Sequence, residues 1–355
     1  MQTIHQILAG YTNGDAISNE ARYFRDIFRK NGFTSDIYCP QRNIGEKNKD
    51  AFDINHCTPK KDDIVLLHLS MGTPANIYFK NLDCKKIILY HNVTPSHFFR
   101  FINEDTLSIL EQGSKQVAML AGCADINLAD SKFNAQEITD LGYKDVDVLP
   151  IIIDFEKLDI PPAKRILAKY NDGKKNILFV GRCAPNKKIE DLITAFYVYK
   201  KTVDPNSRLI LAGSPNGCER YFYMLKDYIV KLDIEDSVVL TGSIPQNELN
   251  SYYQAADLFL CMSEHEGFCI PLIEAMYKQI PILAYAKTAV PETLDGVSVI
   301  FNEKNYKMVA EMMNKLITDE ATKQSIIDAQ NKRVQKLQKL NLEKQVIGII
   351  NKLVG

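Results

Sequence analysis

Short apolar runs of strand length recur along the whole chain, and stretches of helical period separate them. In the first half the runs fall at Thr3–Ala9, Thr34–Cys39, Ile64–Leu69, Lys86–Tyr90, Ala124–Leu128 and Val146–Leu149. Between the first two, residues 16 to 30 place Ile17, Ala21, Phe24, Ile27 and Phe28 on one side of a helix, and Gly32 is a natural stop. A run such as IVLLHL is apolar on both faces, which suits a strand covered on both sides. Strands of this kind alternating with helices predict a parallel sheet in a Rossmann-like layer sandwich. The second half repeats the series at Asn176–Val180, Arg208–Ala212, Ser237–Leu240, Asp257–Met262, Ile280–Ala284 and Ser298–Ile300. From Tyr306 onward the pattern is mainly helical, broken near Thr318-Asp319 and Leu340-Asn341.

The two series imply two domains, and 355 residues is a fitting length for two cores. Residues 156 to 175 (EKLDIPPAKRILAKYNDGKK) are polar and carry turn signals, so they read as a linker. That sets the domains at 1–155 and 156–340. With 46% hydrophobic and 25% charged residues, the composition is that of a globular protein in water. A formal net charge of −1 supplies no overall basic field, so nucleic acid is not an expected partner. The eight cysteines show no Cys-x-x-Cys pair and no zinc-like spacing with His, which points to reduced thiols and no metal site. No apolar run is long enough to span a membrane, and MQTIHQILAGYTNGD does not read as a signal peptide. A cytoplasmic location is therefore expected. Arg22, Arg25, Arg29 and Lys30 on the first helix read as a solvated face, or as a contact with a phosphorylated acceptor or, peripherally, with the anionic inner membrane surface.

Candidate chemistry concentrates in Ser263–Glu274, SEHEGFCIPLIE. Pro271 suits the first turn of a helix, which leaves backbone N–H groups near Gly267, Phe268, Cys269 and Ile270 at a positive helix end. Such an end takes anions, phosphate above all. Glu266 and Glu274 flank it, with seven residues between them. Upstream, Arg182 and Lys187 sit on the loop leaving the first strand of the second series, where a bidentate fork and a point charge suit a diphosphate. In the first half, Gly10 and His91 each follow a strand, at the edge where parallel sheets bind ligands. Each also has a plain reading: Gly10 as a turn glycine, His91 as a residue that ties a loop down. No Gly-x-Gly-x-x-Gly is present, so a dinucleotide site is not supported.

Taken together, FVGRCAPNK (Phe179–Lys187), LAGS (Leu211–Ser214), LTGSIP (Leu240–Pro245) and SEHEGFCIPLIEAM (Ser263–Met276) closely resemble the retaining family 4 glycosyltransferases of the GT-B fold. The first half resembles them more loosely, through the Gly10 loop, YHNVTP and the segment Ala129–Asn134. The resemblance implies two Rossmann-like parallel-sheet domains facing across a cleft, the first on the acceptor side and the second binding a nucleotide sugar. It also implies that the last helix, about 341–355, packs back on the first domain. The implied reaction is hexosyl transfer from a UDP- or GDP-sugar to a glycan or lipid-linked acceptor hydroxyl, with retention and without a cofactor or metal. The implied roles are Glu274 on the ribose hydroxyls, Glu266 and His91 at the donor sugar, and Arg182 and Lys187 on the diphosphate. Gly10 would approach the phosphates, the amides of Gly267, Phe268, Cys269 and Ile270 would hold sugar and diphosphate, and Ser243 would lie near the base. Cys269 departs from the family, many members of which have a glycine there. Competing readings are a nucleotide-sugar epimerase on the same fold, a glycoside hydrolase using the two acids, and a non-enzymatic two-domain sugar-binding protein.

Overall fold

A computed structural model describes residues 2–46 and 48–354. The chain divides into two compact units: Met1–Phe98, Glu104–Ile152 and Asn341–Gly355 form the first, Phe99–Asn103 and Ile153–Leu340 the second. Each is built on one sheet, and every strand pairing is parallel.

The first sheet comprises β1 (Ile4–Leu8), β2 (Ile37–Cys39), β3 (Phe52–Asp53), β4 (Ile64–Leu69), β5 (Lys85–Tyr90), β6 (Ile126–Ala129) and β7 (Val146–Val148). Their order is β3-β2-β1-β4-β5-β6-β7, which puts β1 and β4 side by side at the middle. All six residues of β4 are buried, as a strand covered on both faces requires. The helix Ala16–Lys30 starts at Asp15, whose carboxylate accepts from the Ser18 N–H, and it buries Phe24 and Phe28 against Ile4, Ile64 and Leu128. The four cations on this helix are committed: Arg22 and Arg25 to Asp50, Arg29 to Asp36, Lys30 to Glu343. The last helix, Leu342–Val354, belongs to this unit and buries Val346 and Ile350 in the same core. Lys85 Nζ donates to the Leu353 carbonyl at 2.7 Å.

The second sheet comprises β8 (Lys175–Val180), β9 (Ser207–Ala212), β10 (Val238–Gly242), β11 (Leu258–Cys261), β12 (Ile282–Tyr285) and β13 (Val299–Phe301), in the order β10-β9-β8-β11-β12-β13. The order reverses between β8 and β11, so the loops leaving these two strands border a topological switch point. Helices Tyr306–Thr318 and Glu320–Gln338 break at Asp319, which caps the second of them. Residues 156 to 175 correct the linker reading. They hold a helix, Lys164–Tyr170, whose Ile166 and Tyr170 join the core of this unit. A polar surface of Lys and Arg hid two anchoring apolar positions one turn apart. Strand β3, only two residues long, carries too little pattern to be read from sequence.

No helix among the described residues is long and apolar enough to cross a membrane. All eight cysteines are free thiols.

Candidate active site

In the second unit, β8 and β9 run out into Gly181 and Gly213, and the two exits touch. A Cβ on Gly213 would lie 1.8 Å from the Gly181 carbonyl oxygen, so only glycine fits. Beyond Gly181, Arg182 is exposed, and a short turn, Pro185–Lys187, brings Lys187 back towards the sheet.

The loop after β11 is tied from several sides. Glu264 N–H donates to the Asn186 carbonyl at 2.9 Å, and Asn186 Nδ2 donates to the His265 carbonyl at 3.0 Å. Glu266 N–H donates to Thr288 Oγ1 at 2.9 Å, and Thr293 Oγ1 donates to the Phe268 carbonyl. Lys304 Nζ clamps Glu264 at 2.8 Å and Asp191 at 2.5 Å. The loop then enters the helix Ile270–Tyr277, with Pro271 in its first turn and no side chain capping its start. Cys269 occupies that start at φ +73°, the left-handed region that glycine enters most easily. Its departure from glycine is thus a backbone matter, not one of loop width. Its thiol is pushed up by a hydrogen bond with Cys261, and by burial.

The two acids of this stretch are buried at 7% and 4% exposure, and each has a partner. Lys187 Nζ meets Glu266 Oε2 at 2.6 Å. Burial opposes the ammonium charge of Lys187, but Glu266 outweighs it and holds the group above its usual range. Lys187 is therefore not an exposed loop cation. Glu274 accepts from Tyr253 O–H at 2.7 Å through Oε2 and meets Lys157 Nζ at 3.0 Å through Oε1. Tyr253 and Lys157 gave no sequence signal, because each is one polar residue in an ordinary helical segment or turn. Ser243 is exposed on the loop leaving β10.

The other two sequence candidates lie in the first unit. Gly10 follows β1, and a Cβ there would meet Asn43 at 3.5 Å, an ordinary contact. The fold itself does not demand glycine at this position. His91 follows β5 and is buried, with His68, Glu20 and Asp130 around it. Of these, His68 did leave a trace in the sequence, as the one polar residue inside the apolar run IVLLHL. Glu20 was masked by its helix, where an acid normally faces water.

Residues 163–334 match the family described as Glycosyl transferases group 1. The serotype-specific mannosyltransferase WbdA of Escherichia coli is 28% identical over 212 residues, which is 56% of this chain and 25% of that protein. The GDP-mannose:cellobiosyl-diphosphopolyprenol alpha-mannosyltransferase of Xanthomonas oryzae pv. oryzae is 31% identical over 144 residues, 40% of this chain and 37% of that one. The matched stretch thus spans well under half the length of these curated relatives. Among solved structures, sucrose-phosphate synthase from Thermosynechococcus elongatus superposes with a TM-score of 0.78 at 15% identity, covering 99% of both chains. Anabaena HepE in complex with UDP-glucose gives a TM-score of 0.76 at 14% identity, covering 99% of this chain and 100% of that one.

Proposed function

We propose that this chain, a GT-B glycosyltransferase whose residues 163–334 belong to glycosyl transferases group 1, moves a hexosyl group from a nucleotide diphosphate sugar to a hydroxyl of a glycan or lipid-linked acceptor, with retention. The observation that carries this is the pinned loop before the helix Ile270–Tyr277. Its uncapped start, the Lys187–Glu266 pair and the Glu274 carboxylate form one preorganised group on one unit.

Each member has spare capacity for a ligand. An ammonium has three donors, and Glu266 takes one from Lys187. Each carboxylate oxygen of Glu274 has a second lone pair, enough to accept from both ribose hydroxyls after Tyr253 and Lys157 have bonded. Arg182 and Lys187 would face the diphosphate, with the amides of Gly267, Phe268, Cys269 and Ile270 at the helix start, and Ser243 near the base. In the first unit, which we assign to the acceptor, Gly10 and His91 are the candidate contacts. In the reaction the acceptor oxygen bonds to the anomeric carbon as the bond from that carbon to the phosphate oxygen breaks. The hydroxyl proton passes to the departing phosphate on the same face. Negative charge grows on that phosphate, and fixed cations and dipoles aimed there lower the barrier without a metal. The mannosyltransferase relatives and the UDP-glucose complex of HepE support a UDP- or GDP-sugar as donor.

The test is a screen of UDP- and GDP-sugars by thermal shift, followed by transfer assays with the donor that stabilises. A ligand at a hundred times its dissociation constant adds about 2.7 kcal/mol. Lys187→Ala should lower transfer at least ~10²-fold. Because that change strands a buried Glu266, the double variant Lys187→Met/Glu266→Gln separates folding from catalysis. Near-normal turnover in the double variant sinks the assignment. So does epimerised donor as the product, or activity lost in EDTA and restored by manganese.

A further inference from the structure

The ring nitrogens of His91 sit in a buried group of side chains whose protons can be placed one at a time. Gln6 Nε2 donates to the Ala21 carbonyl at 2.9 Å, so Gln6 Oε1 is the acceptor end of that amide. His68 Nε2, 2.9 Å from Gln6 Oε1, must therefore carry a proton. A neutral His68 then has a bare Nδ1. On the other side, Asp130 Oδ1 accepts from Asn134 Nδ2 at 2.5 Å, and Asp130 Oδ2 faces His91 Nδ1 at 3.5 Å. The contact is one of charge and too long for a hydrogen bond, and a carboxylate opposite a ring nitrogen favours an N–H there over a lone pair. A neutral His91 would then have a bare Nε2.

Those two bare positions cannot coexist. His68 Nδ1 and His91 Nε2 are 3.0 Å apart. The rings lie within 9° of parallel with centroids 5.2 Å apart. Ring nitrogens stand roughly 1.1 Å from their centres on ordinary covalent dimensions, so this spacing puts both nitrogens on the line of centres. The rings meet edge to edge and in plane, and their lone pairs oppose each other head-on. A proton on that line turns the repulsion into a hydrogen bond of normal length. Glu20 cannot supply it, because its Oε2 lies 3.4 Å from His91 Nε2 and 3.7 Å from His68 Nδ1, beyond O–H···N reach. A metal ion in place of the proton would need the two lone pairs to converge at a tetrahedral angle, not to oppose.

We infer that His91 is held as an imidazolium, donating through Nε2 to His68, with the carboxylates of Asp130 and Glu20 as countercharges 3.5 and 3.4 Å away. Glu20, His68 and Asp130 are positioning residues: they fix a positive charge at the carboxyl edge of β4 and β5. Asp15, at the start of the helix Ala16–Lys30, adds to the negative surroundings of His91. Burial works against the charge on His91, but Asp130 and Glu20 raise it above the usual range, while burial and then His91 hold His68 well below it. With Nε2 bonded to His68 and Nδ1 turned to the Asp130 carboxylate inside the fold, His91 acts on a bound sugar oxygen by charge. This last step rests on the donor-site reading proposed above; the protonation state does not.

Ring-¹⁵N histidine NMR on the full chain tests the state directly, with no variant needed. At about pH 8, where an ordinary histidine is neutral, one of the six histidines should still carry both ring protons. Six neutral rings at that pH would overturn the inference. Asp130→Asn should then move the loss of that proton, and the alkaline limb of kcat, down by about one pH unit or more. KM should change little, and Asp130→Glu should restore the limb. An unchanged pH profile in Asp130→Asn would overturn the positioning role. Absence of transfer by the wild type with every nucleotide sugar would instead sink the donor-site reading, and the NMR result would stand.

Discussion

Glu20 shows what burial does to a residue whose type suggests water. It is 1% exposed, and burial, the largest cause, pushes its carboxyl up to about 7. In the unfolded chain the same group titrates near the ordinary 4.5. Between these values the folded state binds more protons, so this contribution to stability is full below the lower value and is lost as pH rises through the upper one. The wild type should therefore lose about 3 kcal/mol relative to Glu20→Gln as pH rises across that window, and little more above it. Denaturant midpoints of both proteins at stepped pH would show the difference, and parallel curves would refute it. The residue scale is also where sequence reading stopped short. Glu266 and Glu274 were visible as a spaced pair of acids, but their partners Lys187, Tyr253 and Lys157 came from distant positions.

At the scale of elements, apolar runs located twelve of the thirteen strands, because parallel strands buried on both faces leave an unbroken apolar signature. The glycines at the exits of β1, β8 and β9 were legible, though not why they stand there. Gly213 and Gly10 now separate. Gly213→Ala would drive a Cβ into the Gly181 carbonyl and should cost about 3 kcal/mol or more, as overpacking without room to relax does. Gly10→Ala meets Asn43 at an ordinary 3.5 Å and should leave stability within about 0.5 kcal/mol. If a ligand passes close to Gly10, the second variant should still bind the donor more weakly. Melting curves with and without donor measure both effects, and equal losses of stability would contradict the contrast.

Over the whole molecule, the last helix is the long-range commitment of the chain. Leu342–Val354 returns to the first unit, where Val346 and Ile350 are buried among Ile4, Phe24 and Leu149. Burying such a side chain is worth about 1.5–3 kcal/mol, while the Lys30–Glu343 pair is exposed and screened by water. The apolar contact decides. A chain ending at Leu340 should lose amide protection in β1, β4 and β5 while the second unit keeps its own. Hydrogen exchange by mass spectrometry would read this, and unchanged protection in the first sheet would refute it.

The sequence by itself determined the two parallel sheets and pointed to the stretch proposed to carry the chemistry, since each is written in local periodicity or in residues a few positions apart. It did not determine that residues 164 to 170 anchor a core, because a helix with two apolar positions among lysines looks like a linker. Only the tertiary structure decided which charges meet. It converted Lys187 from a loop cation into the partner of Glu266, paired the four cations of the first helix, and set His91 between His68 and Asp130. Protonation states follow from such meetings, through burial and opposed lone pairs, and no local pattern records them.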